Sequence, residues 1–319
     1  MRDYLPIKYQ FFWRLGEGGS EPFRFMSMEL RNLRAFVEVV RQGGFSQAAK
    51  VVFATQSTVS KAVKQLEEDL GQLLLDRSVH GPTLTAAGEI VFRRAQRILA
   101  ERQDLLNELA DLRGLKRGVL RLGLPPVGSA LLFAPVFAAF HELHPGIEIQ
   151  LSEQGAGRLE ELLRAGDVEL AGLLAPVAPD FEAQPVRSEP VVALLPPDHP
   201  LIQERALSLS QLSSVPFLLP GPGFALHPMI LKACERARFT PTVVACSGQQ
   251  DFLAGMVAAG LGVAFAPHMI AKDLRARYRV RIMEIKNPPM QWNLVIAWRR
   301  KAYLSQAAKA WLAVARKSG

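Results

Sequence analysis

What is scarce in this sequence narrows its class first. No run of eighteen apolar residues occurs anywhere in the 319, so no transmembrane helix is expected. The first 27 residues, MRDYLPIKYQFFWRLGEGGSEPFRFMS, hold neither a continuous apolar segment nor a small-residue cleavage site. They do not read as a signal peptide, and a cytoplasmic protein with no membrane partner is expected. There are two cysteines, Cys234 in a predicted helix and Cys246 in an apolar strand, and both read as buried, inert thiols. His141 and His144 end a helix before Pro145 but lack a third ligand at a recognisable spacing, so no metal is assigned. Gly260 and Gly262 precede a strand rather than follow one, the wrong order for a dinucleotide loop. No nucleophile and base come together. The sequence therefore offers no catalytic residue and no cofactor, and it argues against an enzyme.

Charge is present but unevenly placed. The 38 Lys+Arg and 30 Asp+Glu leave a net +8, which suits a nucleic-acid partner in general terms. Residues 28–120 carry only +3 (14 basic, 11 acidic), residues 121–270 carry −6 (8 and 14), and residues 271–319 carry +10 (12 and 2). Net charge is thus a poor guide to the binding site. The basic groups between Lys272 and Lys286 and at Arg299, Arg300 and Lys301 read as a solvated face rather than a second nucleic-acid site.

The informative stretch runs from Phe45 to Leu70. Val59, Val63, Leu66 and Leu70 recur at helical spacing and face inward, while Gln56, Ser57, Thr58, Ser60, Lys61 and Lys64 cover the rest of the same helix. That arc mixes amide, hydroxyl and ammonium groups, which suit base edges and phosphates. An amphipathic helix with Leu30, Leu33, Phe36, Val37 and Val40 precedes it and stops at Gly43-Gly44, after which Ser46 is the expected N-cap of a short helix. Ala48 and Ala49 let two helices approach closely. Thr55 is the expected cap of the polar-faced helix, leaving free N–H groups and the positive dipole end near a DNA backbone. Residues 73–77 and 80–85 read as a two-stranded wing turning at Gly81-Pro82, with Arg77 placed to meet phosphate. A solvated helix face is the bland alternative for the lysines, but it explains neither the capped turn nor the paired alanines nor the wing.

Residues 28–117 resemble the winged helix-turn-helix and linker helix of LysR-type transcriptional regulators. The pattern L-x-x-F-x-x-V, G-F-S-x-A-A, Q-S-x-x-S-K-x-V-x-x-L-E, L-x-x-R and L-T-x-A-G carries the resemblance over some sixty residues. The resemblance implies that Gln56, Thr58, Ser60 and Lys61 reach bases or nearby phosphates and that Arg77 and Thr85 anchor the wing. One departure is Ser57, where many members have proline.

From Thr85 to Leu115 there is no proline, and Ile90, Ala95, Ile98, Leu105, Leu109 and Leu112 form an apolar stripe. A helix of about thirty residues, about 45 Å long, cannot bury that stripe in a small winged domain. Pairing with the same helix of a second subunit is expected, giving a homodimer that sets two recognition helices about one turn of DNA apart. Packing against its own chain is the alternative. Dimer and tetramer are not distinguished.

From Gly118 onward strands alternate with helices. Strands are expected at 119–124, 147–151, 168–174, 191–195, 243–246, 263–266 and 294–298, and helices at 131–142, 157–165, 226–238, 250–260 and 303–316. The alternation predicts an α/β domain with mostly parallel strands. Proline-rich crossings at 184–190 and 287–289 divide it into lobe I (118–187 and 290–319) and lobe II (188–289). This resembles the two-lobed, periplasmic-binding-protein-like effector domain of the same family, with a ligand between the lobes. The full expectation is α/β: an extension at 1–27 with no packed fold, a winged domain at 28–85, a linker helix at 86–117 and an effector domain at 118–319.

Gly128 and Ser129 lead a strand into a helix, where backbone N–H groups and a hydroxyl suit an anion such as a small carboxylate. Ser129 as a plain helix cap is the alternative. Gly223 and Phe224, with Gln249 and Gln250, lie in loops before helices and are candidates for the opposite wall, an ordinary turn being the alternative for each. The leading reading is a ligand-responsive, DNA-binding regulator whose partners are double-stranded DNA, a small-molecule effector, further copies of itself and, on the family resemblance, RNA polymerase. Two alternatives stand: a Cys234–Cys246 disulfide switch, as in a peroxide-sensing branch of the family, and a metabolite-binding protein or enzyme with an appended helical domain.

Overall fold

The computed structural model describes residues 28–78, 81–112 and 118–317, with the backbone alone at Arg77 and Ser78. The expectation for residues 1–27 lies outside the described residues. The chain divides into two compact units, 1–89 and 90–319.

In the first unit three helices pack around small and branched side chains. Helix α1 (Leu30–Gln42) ends at Gly43, whose φ of 67° supplies the left-handed cap that a side chain resists. Helix α2 (Phe45–Val51) begins from Gly44 in extended backbone, with no side-chain cap. Ser46 is therefore not the expected N-cap: it sits inside the first turn and donates instead to Gln56 Oε1 at 3.0 Å. Ala48 and Ala49 are buried, as their size suggests. Helix α3 (Gln56–Leu70) is capped by Thr55, whose hydroxyl accepts from the Thr58 N–H at 3.2 Å. Val59, Val63 and Leu66 of α3 are at most 1% exposed, each worth roughly 1.5–3 kcal/mol on burial.

The wing pairs β1 (Leu75–Ser78) antiparallel with β2 (Gly81–Leu84). Gly81 and Pro82 lie within β2, opposite Ser78 and Arg77, not in a turn as expected; a proline N without a donor is tolerated in so short an edge strand. Buried Glu67 holds the wing to α3, its Oε1 accepting from the Leu74 and Leu75 N–H groups at 2.8 and 3.2 Å. Thr85 Oγ1 donates to the Leu73 carbonyl and accepts from the Gly88 N–H, which caps helix α4 (Ala86–Asp111). Gly88 must be glycine in this packing, because a Cβ there would fall 2.0 Å from the Leu74 carbonyl oxygen.

Helix α4 has 26 residues, about 39 Å. Its polar side bonds to the rest of the second unit. Arg299 Nη2 donates to Asp104 at 2.6 Å, Tyr303 Oη donates to Asp111 at 2.9 Å, and the Gln306 N–H donates to the same carboxylate at 2.8 Å. Of the predicted apolar stripe only Ala95 is buried; Ile90, Ile98, Leu105, Leu109 and Leu112 are exposed.

The second unit runs β3 (Gly118–Leu124), α5 (Ser129–Leu143), β4 (Ile147–Glu153), α6 (Ala156–Arg164), β5 (Leu170–Leu174) and the long β6 (Phe181–Leu195). It continues with β7 (Leu207–Ser208), β8 (Phe217–Pro220), α7 (Leu226–Arg236), β9 (Val243–Ser247), α8 (Gln250–Ala258), β10 (Ala264–Pro267), α9 (His268–Arg277), β11 (Arg281–Asn287), β12 (Gln291–Arg299) and α10 (Gln306–Lys317). Its main sheet has the order β4-β3-β5-β12-β6-β11-β7, with β10 also on β6.

The sheet is mixed, which corrects the expectation of mostly parallel strands. Strands β3, β4 and β5 pair in parallel, but β12 runs antiparallel to β5 and β6, and β10 and β11 run antiparallel to β6. Helical crossovers make the parallel pairs, whereas the two long strands β6 and β12 simply return beside each other. Residues 184–190, expected as a proline-rich crossing, form part of β6. They are strand, registered against β12 from Phe181↔Arg299 to Pro190↔Gln291, and the end of β6 then serves β10 and β11. Everything from β7 to β11 is inserted between those two strands. Strands β7, β8 and β11 and helix α9 escaped the sequence reading. In β11 Met283 and Ile285 are buried on one side while Glu284 and Lys286 are exposed on the other, and Arg281 is exposed at the strand's start.

Candidate functional site

The N-terminal half of α3 is a small polar platform. Thr55 Oγ1 lies 2.9 and 2.8 Å from the Ser57 and Thr58 hydroxyls, so one cap organises three hydroxyl groups. Gln56, Ser57, Thr58, Lys61 and Lys64 are exposed or nearly so, and Ser60 is half-buried. The inward positions Val59 and Val63 fix this face outward, as the spacing predicts. Serine at position 57, in the first turn, leaves the cap intact. Further along, Lys64 pairs with Glu68 at 3.5 Å, a solvated contact of little energy.

Thr58 and Lys61 open onto a hollow of about 600 Å³ that also takes in Arg31 and Arg34 of α1. Those two arginines were missed from the sequence; their signal is an exposed Arg-x-x-Arg on the polar side of α1. Arg77 is carried on β1 beside Pro82, and the expectation for its side chain lies outside the described atoms. Thr85 has its hydroxyl engaged by Leu73 and Gly88 and serves the wing from within the protein.

In the second unit the six candidate effector residues do not share one cavity. Gly128 takes φ 85° ahead of α5, and the Trp292 ring lies 3.2 Å from where a Cβ would be. Ser129 is buried and its hydroxyl turns back to donate to the Pro125 carbonyl. Phe224 lies with Pro125, Val127, Leu174 and Trp292 around an apolar gap of only about 30 Å³. Gly223 meets the loop before α6 backbone to backbone: a Cβ on Gly155 would sit 2.3 Å from the Gly223 carbonyl oxygen. Gly128, Gln249 and Gln250 instead line a separate hollow of about 320 Å³ with Asp251, Asp273 and Arg277. There Arg277 is claimed by both aspartates, and its hydrogen bond to Asp273 raises its hold on its proton.

The thiols differ from expectation in one respect. Cys234 is buried, and burial pushes its thiol up to about 11, whereas Cys246 is exposed. Among the described residues strand β9 pairs with β8 alone, so it is an edge strand, and Cys246 on it is exposed. Among the described residues no group of three or more His, Cys, Asp or Glu forms a metal cluster, and no helix is long and apolar enough to cross a membrane.

Two family models match the chain. Residues 30–89 match the bacterial regulatory helix-turn-helix protein of the lysR family, and residues 113–319 match the LysR substrate binding domain. The HTH-type transcriptional regulator YwbI of Bacillus subtilis is 34% identical, over 89% of this chain and 95% of that protein. The transcriptional dual regulator GltC of Bacillus subtilis is 31% identical, over 80% of this chain and 86% of that protein. Among solved structures, a full-length OxyR variant from Pseudomonas aeruginosa aligns with a TM-score of 0.65 at 26% identity, covering 91% of this chain and 95% of that one. With a capped, polar-faced recognition helix in its first unit and a two-lobed α/β second unit, and with relatives that are regulators rather than enzymes, the chain belongs to the LysR-type family of DNA-binding transcriptional regulators with an effector-binding domain.

Proposed function

We propose that this regulator reads DNA through Gln56, Ser57, Thr58, Ser60, Lys61 and Lys64, assisted by Arg77 on a wing that Thr85 anchors, and that a small organic acid modulates the binding or bending of that DNA. The observation that carries the reading is the Thr55-capped end of α3, where amide, hydroxyl and ammonium groups are held outward on a buried valine–leucine seam. Gln56 and Thr58 suit base edges, and the lysines suit phosphates.

The proposed boundaries are a winged domain at 28–85, a linker helix at 86–117 and an effector domain at 118–319, with lobes at 118–187 plus 290–319 and at 188–289. The exposed apolar groups of α4 supply the homodimer contact, with a homotetramer as the larger assembly, and RNA polymerase is a further partner. The acid would lie near Gly128 and Ser129, with Gly223, Phe224, Gln249 and Gln250 opposite. Support for an anion comes from the N–H groups at the start of α5. Since the gap at Phe224 holds no more than about 30 Å³, the ligand binds an arrangement with the loops apart and acts through its different affinity for the two states.

The test is footprinting of the protein on fragmented host DNA at stated salt, followed by titration of Lys61→Ala and Gln56→Ala on the recovered sites. Two-fold symmetric sites are expected, with the Lys61 variant losing about one unit of salt slope and the Gln56 variant losing discrimination at one base pair. Binding that is sequence-independent in wild type would sink the proposal. For the effector, small carboxylates are screened for a shift in footprint, and Ser129→Ala should blunt that shift while leaving effector-free DNA binding intact.

A further inference from the structure

Between α2 and α3 the chain turns at a phenylalanine. Phe53 holds φ 54°, in the left-handed region, and its backbone is fixed by Phe53 N–H to Lys50 carbonyl at 3.4 Å and Ala54 N–H to Ala49 carbonyl at 2.9 Å. Glycine or asparagine suits such a position, while a bulky side chain strains it. The ring gains nothing from folding in return, since Phe53 is 97% exposed, more than any other large apolar residue among those described. Stability therefore gives no reason for an aromatic group here.

Its surroundings give one. Phe53 stands two residues before the Thr55 cap and three before Gln56, and exposed Lys50 lies three residues behind it on α2. The adjoining Val52 and Ala54 line the same hollow as Thr58 and Lys61. The chain on either side of Phe53 thus borders the hollow that Thr58 and Lys61 of α3 share, which sets the exposed ring beside the start of that helix. We infer that Phe53 is a DNA-contacting residue, which lays its ring against carbon atoms of the duplex, either a thymine 5-methyl group or a deoxyribose, at the edge of the recognition-helix footprint. This rests on the reading that the start of α3 meets DNA. Apolar contact is the one kind of readout that the hydroxyl, amide and ammonium groups beside it do not supply.

The test uses the full chain and a site recovered by footprinting. Phe53→Asn removes the ring and keeps a residue at ease with positive φ, so folding is preserved and the melting temperature is expected to stay level or rise. Affinity should fall about tenfold with the salt slope unchanged, because no phosphate contact is lost. Replacing thymine by uracil around the site separates the two sources. If the methyl is the contact, uracil weakens wild type and not Phe53→Asn; if the sugar is, uracil has no effect and Phe53→Asn still binds weakly. Equal affinity of Phe53→Asn and wild type overturns the inference, provided Gln56→Ala and Lys61→Ala are weakened. If all three variants bind like wild type, both this inference and the reading of α3 fall. An affinity loss that appears only together with a change in oligomer mass assigns Phe53 to a protein contact and overturns it as well.

Discussion

Ser46 on α2 donates a hydrogen bond to Gln56 Oε1 on α3 at 3.0 Å, so the first side chain of the recognition helix is held from the neighbouring helix rather than left to rotate. The bond is exposed, and such a bond adds little to folding. On the proposed reading of α3, its use is to limit the rotamers from which Gln56 approaches a base. Ser46→Ala should leave the melting temperature within about 1 °C of wild type, the change being a few tenths of a kcal/mol at most. Affinity for a footprinted site should fall about threefold, with relaxed preference at the base pair that Gln56→Ala also relaxes. A competition series over single-base variants checks this. Equal preference profiles for Ser46→Ala and wild type would contradict it.

The Asp104–Arg299 pair is a poorly solvated ion pair between α4 and the sheet, with side chains 10% and 17% exposed. Removing either partner leaves the other charge poorly hydrated. Asp104→Ala and Arg299→Ala should each cost roughly 2–3 kcal/mol in urea unfolding, below the range for fully buried pairs because some water reaches this one. The double variant should cost clearly less than the sum of the two. Additive losses would mean that each group acts through other contacts.

Glu169 gives a pH signature. It is buried, accepts from the Ser305 N–H at 2.5 Å and the Ser305 hydroxyl at 3.0 Å, and burial raises its carboxyl above the ordinary value of 4.5. A carboxyl with a raised folded value takes up a proton on folding, so its contribution is present below 4.5 and is lost as pH rises through the folded value. Glu169→Gln removes that dependence. The stability of wild type relative to Glu169→Gln should therefore decline from pH 4.5 upward and then level off. A parallel pair of curves from denaturant melts would refute it.

The thiols should separate cleanly. Alkylation at about pH 8 should modify exposed Cys246 and spare Cys234, whose thiol burial pushes up to about 11, until denaturant is added. Reducing agent should leave DNA affinity unchanged. A redox-dependent affinity would revive the disulfide switch.

Much of this protein is legible where one periodicity has one physical cause. Val59, Val63 and Leu66 set the phase of α3, and once that phase is known Gln56, Thr58 and Lys61 must face out. Gly43 marks a helix end because a left-handed cap admits little else. Legibility fails where two causes give the same pattern. Ser46 reads like a cap because serine is good at both capping and bridging, and only the backbone at Gly44 decides between them. Strand β11 hides because its charged alternate residues resemble a solvated segment. The stripe on α4 is visible, but its exposure in one chain is not, since a seam meant for another helix reads like a core seam. The candidate effector residues stand out as loops before helices, yet their division between two cavities leaves no periodic trace in the sequence.

One close approach lies between Gly155 and Gly223, where a Cβ on Gly155 would fall 2.3 Å from the Gly223 carbonyl oxygen. Neither residue brings a side chain to that contact, and beside it Phe224, Pro125, Val127 and Trp292 line the apolar gap with side chains. A contact of that kind leaves no room for a side chain at position 155, so sequence drift in the loop before α6 is limited by space before it is limited by chemistry.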